Sequence, residues 1–351
     1  MKKILDAVLY NGKQDVQFID NVYTDVIHSL GQKYDDVVCL TADMTHLLEV
    51  DVFRDSFPDR TFNVGVAEQN MVGVAAGMAQ AGEVPFIHTF GCFLTRRCMD
   101  QVVNAVAYPK FNVKMVGVMP GITSPGGPSH QAIDDIALMR STPNITIIDI
   151  GDAAEVRQAV EKAYETKGPV YLRMRRSKQP LLFDDSKYEF EIGQSYLLRE
   201  GTDVGIVTSG LMTARAIATA ALLEEQGIST NILHVPTIKP IDAEGIIEVA
   251  KSSKVLISLD NHNVIGGLGS AVGDVLLDYN VRIPFYKIGV PDVFGKAASE
   301  AYLSRMFGFE PKQIMQTAIN LLDGKENPQC VEEMVKTAIV QGGGWEEEWK
   351  N

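Results

Sequence analysis

Cysteine is scarce. Four occur among 351 residues, Cys39, Cys92, Cys98 and Cys330, and none stands in a CxxC pair or at zinc-knuckle spacing. Neither a disulfide framework nor a zinc site is expected, and a reducing cytosol is the compartment that fits. The six histidines are scattered, so no metal cluster is expected either. Basic charge is in deficit: 32 Lys and Arg face 45 Asp and Glu, a net charge of −13. Nucleic-acid binding leaves a basic footprint, and this chain carries the opposite sign. No apolar run approaches the ~18 residues of a membrane helix. The opening MKKILDAVLYNGKQDV has neither the apolar stretch nor the cleavage site of a signal peptide. Phosphate fingerprints of the GxxxxGK[ST] and GxGxxG kinds are absent, as are internal repeats.

What is present is the balance of a soluble globular protein, with 46% apolar and 22% charged residues. The length suggests two domains at ~100–200 residues each. Strand-like runs at 37–43, 84–90, 113–119, 145–150 and 170–174 alternate with helical segments at 18–32, 67–81, 96–107, 131–140 and 152–166. That alternation predicts an α/β domain with a mostly parallel sheet. A second α/β pattern follows a charged, proline-containing stretch, with strands at 204–210, 230–235, 254–260 and 282–290 and a closing helix at 311–322. The expected organisation is an N-terminal extension 1–14, a first domain 15–182, a linker 183–197, a second domain 198–322 and a tail 323–351. The tail ends in GGGWEEEWKN and is expected to be flexible or docked on a partner.

Five motifs can carry chemistry. In NVGVAEQNMVGVAAG (63–77), Glu68 follows an apolar strand and opens a helix rich in Ala and Gly. Taken alone, it is a favourable charge at a helix N-terminus. In an apolar, Gly/Ala-lined setting, burial would instead favour the neutral acid, which can share its proton with a ring nitrogen. Phe90 and Phe93 in TFGCF (89–93) either pack a core or form an aromatic shelf for a flat heterocycle. The loop GITSPGGPSHQ (121–131) ends in His130 and Gln131 after a strand, where α/β domains place catalytic groups. Arg173, Arg175, Arg176 and Lys178 form a basic cluster that either meets an anion or lines a solvated edge. NHNVIGGLGSAV (261–272) lacks dinucleotide spacing and reads as a packing turn.

FNVGVAEQNMVGVAAG, HTFGCF, GPSHQAIDDIALMRSTPN, GPVYLRMRR, PTIKPID and HNVIGGLGSAV occur in this order over roughly residues 15–320. Together they resemble the C-terminal half of the transketolase family of thiamine-diphosphate enzymes. The resemblance implies two α/β domains, a pyrimidine-binding fold followed by a transketolase C-terminal-domain-like fold. It implies that Glu68 bonds the N1′ nitrogen of the cofactor's aminopyrimidine and promotes the imino form that takes the thiazolium proton. It implies that Phe90 and Phe93 wall that ring, that Asp43 lies near the thiazolium, and that His130 contacts donor oxygens and assists proton transfer. The family holds the diphosphate through Mg²⁺ on a GDG motif, which this sequence lacks. The chain thus resembles one subunit of a split transketolase, with no metal ligands of its own. The N-terminal partner subunit would hold Mg²⁺ and the diphosphate in an α₂β₂ assembly. The implied activity is transfer of a two-carbon ketol group from a ketose to an aldehyde. A deoxyxylulose-phosphate-synthase-like enzyme, a 2-oxo-acid dehydrogenase E1 β-like subunit and a non-catalytic partner subunit share the same half architecture.

The sequence departs from the family where a sugar phosphate is held. Counting back from Asp43, Asp20 stands where split transketolases carry a phosphate-gripping arginine. Leu47 replaces a serine, Met119 a histidine or similar polar group, and Gly126 an aspartate. Arg176 alone remains of the phosphate set. Each lost charge-assisted contact is worth ~1.5–3 kcal/mol. The donor is therefore expected to be atypical: unphosphorylated, phosphorylated elsewhere, or carrying another anion met by Arg96, Arg97 or Arg176.

Overall fold

Continuous apolar runs such as Val84–Phe90 suit strands buried on both faces, and they become the centres of parallel sheets. A computed structural model describes residues 1–325. Beyond Lys325, the expected tail lies outside the described residues. The first part of the chain contains β1 (Lys2–Lys3), β2 (Phe18–Ile19), β3 (Val37–Thr41), β4 (Thr61–Asn63), β5 (Val84–Phe90), β6 (Lys114–Val118), β7 (Thr146–Asp149) and β8 (Val170–Met174). Then come β9 (Gln179–Pro180), β10 (Tyr196–Arg199), β11 (Val204–Thr208), β12 (Thr230–His234), β13 (Thr237–Lys239), β14 (Val255–Asn263) and β15 (Phe285–Val290). Two larger sheets result, ordered β13-β7-β8-β6-β5-β3-β4 and β1-β10-β12-β11-β14-β15. In the first, every pair from β7 to β4 is parallel. The fold is the mixed α/β architecture that the alternation predicts.

Several local expectations change on folding. β13 belongs in sequence to the second half, yet it pairs antiparallel with β7 at the edge of the first sheet. β1, inside the expected extension, pairs parallel with β10 in the second sheet. The expected linker is packed: Phe183, Tyr188, Phe190 and Tyr196 are buried, and Phe183 stacks on Tyr188 at 4.9 Å. Aromatic burial outweighs the charge of the neighbouring residues there. The helix expected at 18–32 runs Val22–Lys33, because Phe18–Ile19 pairs with Gln179–Pro180 instead. The helix expected at 96–107 is broken into wide π-type turns, Phe93–Arg97 and Val102–Ala107, around Met99–Gln101. Such bulges re-aim side chains and recur at functional sites.

Arg173 joins the two halves. It is buried, with Nε 2.8 Å from Asp135, Nη1 3.0 Å from Asp149 and Nη2 2.7 Å from the Asn261 carbonyl. A buried guanidinium is tolerable only with this many partners. Arg173 therefore leaves the basic cluster expected to meet an anion. The carboxyl ends of β3, β4, β5, β6 and β8 all open on one edge of the first sheet, the edge where open α/β sheets bind ligands.

Candidate active site

The turn after β4 delivers Glu68. Asn63 organises it: its Oδ1 accepts N–H bonds from Asp43 at 2.9 Å and Gly65 at 3.0 Å, and its Nδ2 donates to Asp43 Oδ1 at 3.0 Å. Gly65 takes φ +74°, a left-handed conformation that suits glycine. The helix Glu68–Ala81 starts directly behind this turn, and the Glu68 side chain is 2% exposed. Its surroundings are not purely apolar. Arg97 Nη1 donates to both carboxylate oxygens, at 2.8 and 2.7 Å, while its guanidinium lies 4.2 Å above the Phe93 ring. Arg97, expected as a ligand for a substrate anion, is committed to Glu68 instead.

Phe90 closes β5 and Phe93 begins the first π-type turn, which sets their rings 5.6 Å apart at 34°. His130 meets both rings edge-on, at 5.9 Å from Phe90 and 5.1 Å from Phe93. Its Nδ1 is 3.0 Å from Ser129 Oγ. Glu68, Arg97, Phe93, Phe90 and His130 thus form one continuous cluster from three separate loops. Asp43 is exposed at the end of β3 and is tied to Asn63 rather than to the rings.

The His130 loop is held from both sides. Arg96 Nε contacts both Asp134 oxygens at 2.8 Å, and its other nitrogens reach the Pro128 and Gln131 carbonyls. Arg96 is therefore a loop clamp rather than a free anion ligand. From the second half, Asn261 donates to the Pro120 carbonyl at 3.1 Å and accepts from Ile122 N–H at 3.1 Å. The NHNVIGG segment, read as a packing turn, packs on the loop that carries His130. Gln131 extends the grip, donating to the Lys296 carbonyl at 2.9 Å.

Arg176 lies elsewhere on the same edge. A cleft of about 460 Å³ is lined by Phe18, Met119, Thr123, Pro125 and the run Arg175–Lys178. Arg175 pairs with Glu300 at 3.0 Å, and Lys178 with Asp20 at 3.5 Å. Asp20, expected to repel phosphate unaided, stands against this lysine. Among the described residues, Arg176 makes one long hydrogen bond, 3.4 Å to Ser177 Oγ. Glu49 accepts the Ser177 N–H at 3.2 Å. Burial raises the Glu49 carboxyl above its usual range, opposed by that N–H and by Arg176. Glu49, Met119 and Ser177 all have φ near +60° without being Gly, Asn or Asp. Strain of this kind persists only where surrounding structure enforces it. Glu49 carried no sequence signal, and the roles of Lys178, Asn63 and Asn261 were not marked within their motifs, because their partners are distant in the chain. Among the described residues, no group of three or more His, Cys, Asp or Glu side chains is arranged to hold a metal ion.

Residues 18–180 match the transketolase pyrimidine-binding domain, and residues 193–314 match the transketolase C-terminal domain. A transketolase family protein of Sinorhizobium fredii is 42% identical over 85% of this chain and 87% of its own length. The 6-deoxy-6-sulfo-D-fructose transketolase subunit SqwH of Clostridium sp. (strain MSTE9) is 39% identical, over 89% of this chain and 97% of that protein. A solved split-gene transketolase, an inactive β4 tetramer, is 40% identical and superposes with a TM-score of 0.80, covering 86% of this chain and 97% of that one.

Proposed function

The chain belongs to the transketolase family, as the C-terminal subunit of a split enzyme, and from that premise we propose that it transfers a two-carbon ketol group from a ketose to an aldehyde with thiamine diphosphate. The observation that carries this reading is the seat of Arg97. A planar, nitrogen-bearing group already lies on the Phe93 face and donates to the buried Glu68 carboxylate. A flat aminopyrimidine needs the same two features, so the residues present fit the cofactor. Arg97 has to withdraw for that ring to take its place, and its 44% exposure leaves room to do so. When bound, thiamine diphosphate supplies the carbon nucleophile that accepts the two-carbon unit.

Glu68 holds and moves the proton at the pyrimidine ring nitrogen. Phe90 and Phe93 wall the ring and exclude water. Ser129 engages Nδ1 of His130, which leaves Nε2 to contact donor oxygens and pass a proton. Asp43 approaches the cofactor from the end of β3. Arg176 meets the far end of the donor, while Arg97 acts as the counter-ion that Glu68 keeps until the ring arrives. Mg²⁺ and the diphosphate belong to an N-terminal partner subunit, in an α₂β₂ enzyme of the cytoplasm. The relative named for 6-deoxy-6-sulfo-D-fructose suggests the donor class, a ketose with an anionic end.

The test is co-expression with the N-terminal subunit, followed by donor-dependent ferricyanide reduction with thiamine diphosphate and Mg²⁺. Glu68→Gln is expected to lower turnover by ~10²–10⁴-fold, the range of general acid–base assistance. Unchanged activity would support a non-catalytic subunit. Turnover of pyruvate without ketose cleavage would favour an acyl-transferring relative.

A further inference from the structure

The cleft beside Arg176 carries a charge inventory that specifies the donor more closely. Thr123 and Pro125, from the loop that carries His130, line it, which sets the cleft beside the proposed donor site. Three cations border the cleft, and each is set against a carboxylate. Arg175 pairs with Glu300 and Lys178 with Asp20. Arg176 acts on Glu49, whose carboxylate is fixed one residue away on the Ser177 N–H. The sum is close to neutral. Of these three, Arg176 alone makes no direct carboxylate contact among the described residues. A guanidinium fork recognises the paired oxygens of an oxyanion directionally. One fork in a balanced surround suits one negative charge. Asp20 and Glu49 stand behind the lining residues Lys178 and Ser177, so a second charge on the ligand would meet their field with no cation left to answer it.

Resting on the transketolase reading above, we propose that the donor ends in a singly charged oxyanion such as a sulfonate, and that Asp20 and Glu49 are the residues that exclude a phosphate dianion. Arg176 supplies the attraction, and the two carboxylates supply the discrimination. A specific site needs such a repulsive element as well as an attractive one.

The experiment uses the assembled two-subunit enzyme with thiamine diphosphate and Mg²⁺, at pH 8, where a phosphate monoester is fully dianionic. Three chain-matched ketoses differ only at C6: sulfonate, phosphate and hydroxyl. The expected kcat/KM for the sulfonate exceeds that for the phosphate by about tenfold, and it exceeds that for the hydroxyl donor. Asp20→Asn and Glu49→Gln each move the sulfonate-to-phosphate ratio toward phosphate by about three- to tenfold. Gln at position 49 keeps an oxygen for the Ser177 N–H, so the backbone there stays supported. Arg176→Met raises KM for both charged donors and brings them level with the hydroxyl donor. A phosphate donor that equals or exceeds the sulfonate overturns the proposal and leaves the transketolase reading standing. So does a ratio that both carboxylate variants leave within twofold of wild type. If no ketose reduces ferricyanide, the transketolase reading falls. The charge preference is then decided by calorimetric titration of the same three ketoses, where sulfonate must bind tightest.

Discussion

Removing Arg97 tests whether Glu68 depends on it in the subunit by itself. Arg97→Met keeps the side-chain length over Phe93 and deletes the guanidinium. The Glu68 carboxylate is 2% exposed and Arg97 44%, so the pair lies between two measured regimes. Exposed ion pairs contribute ~0.2–1 kcal/mol, and breaking a fully buried pair costs ~3–5 kcal/mol. Two short contacts to one charged nitrogen, discounted for the solvent around Arg97, place the coupling at about 2 kcal/mol. The assay is a double-mutant cycle of wild type, Arg97→Met, Glu68→Gln and the double variant, by urea unfolding of the isolated chain. Arg97→Met is expected to destabilise, and Glu68→Gln on top of it to return most of the loss, because a neutral amide needs no counter-ion. In thermal scans of a chain this long the coupling is worth roughly 3 °C. Salt should erode only part of it, since one partner is buried. A coupling below ~0.5 kcal/mol would mean the two side chains act independently and would refute the ion pair as a feature of the free subunit.

Two further outcomes follow from the same structure. Burial pushes the His88 imidazole down from 6.5 to about 4, with Tyr23 Oη 2.5 Å from its Nε2. Its folded pKa lies below its unfolded one, so the unfolded chain takes up the proton first. Stability is intact above about pH 6.5 and falls by about 3 kcal/mol toward pH 4. His88→Gln should flatten that part of the stability–pH profile, and an unchanged slope would assign it to other groups. Gly121 has φ +55°, and a Cβ there would lie 2.1 Å from Asn261 Oδ1. Gly121→Ala should displace the His130 loop and lower kcat about tenfold in the assembled enzyme; full activity would show that the Asn261 clamp does not position that loop.

How much of this was legible in the sequence depends on distance along the chain. The strand ends that carry Glu68, Phe90, Phe93 and His130 announce themselves through local pattern: an apolar run, then Gly, Pro or small residues. Those four side chains meet because neighbouring parallel strands end on one edge, which fold class alone dictates. Charge partners are different. Nothing near Arg97 in sequence says that it faces Glu68, and nothing near Lys178 says that it faces Asp20. Arg173 and Arg176 look alike in the run RMRR, yet the first lies within the fully buried strand β8 and the second follows its end at Met174. In the expected linker the charged residues dominate the sequence, whereas the aromatics interleaved with them act only once folded.

The origin of β13 bears on how the chain is made. The strands β3 to β8 leave a ribosome well before Thr237–Lys239 does. Until then the free flank of Thr146–Asp149 has no partner, and in the finished fold Ile147 and Ile148 beneath it are fully buried. An unpaired, apolar strand flank is a template for other chains, and nascent domains are exposed to such pairing while they wait. The interval between synthesis of the two halves is therefore one in which that flank has to be shielded from other chains.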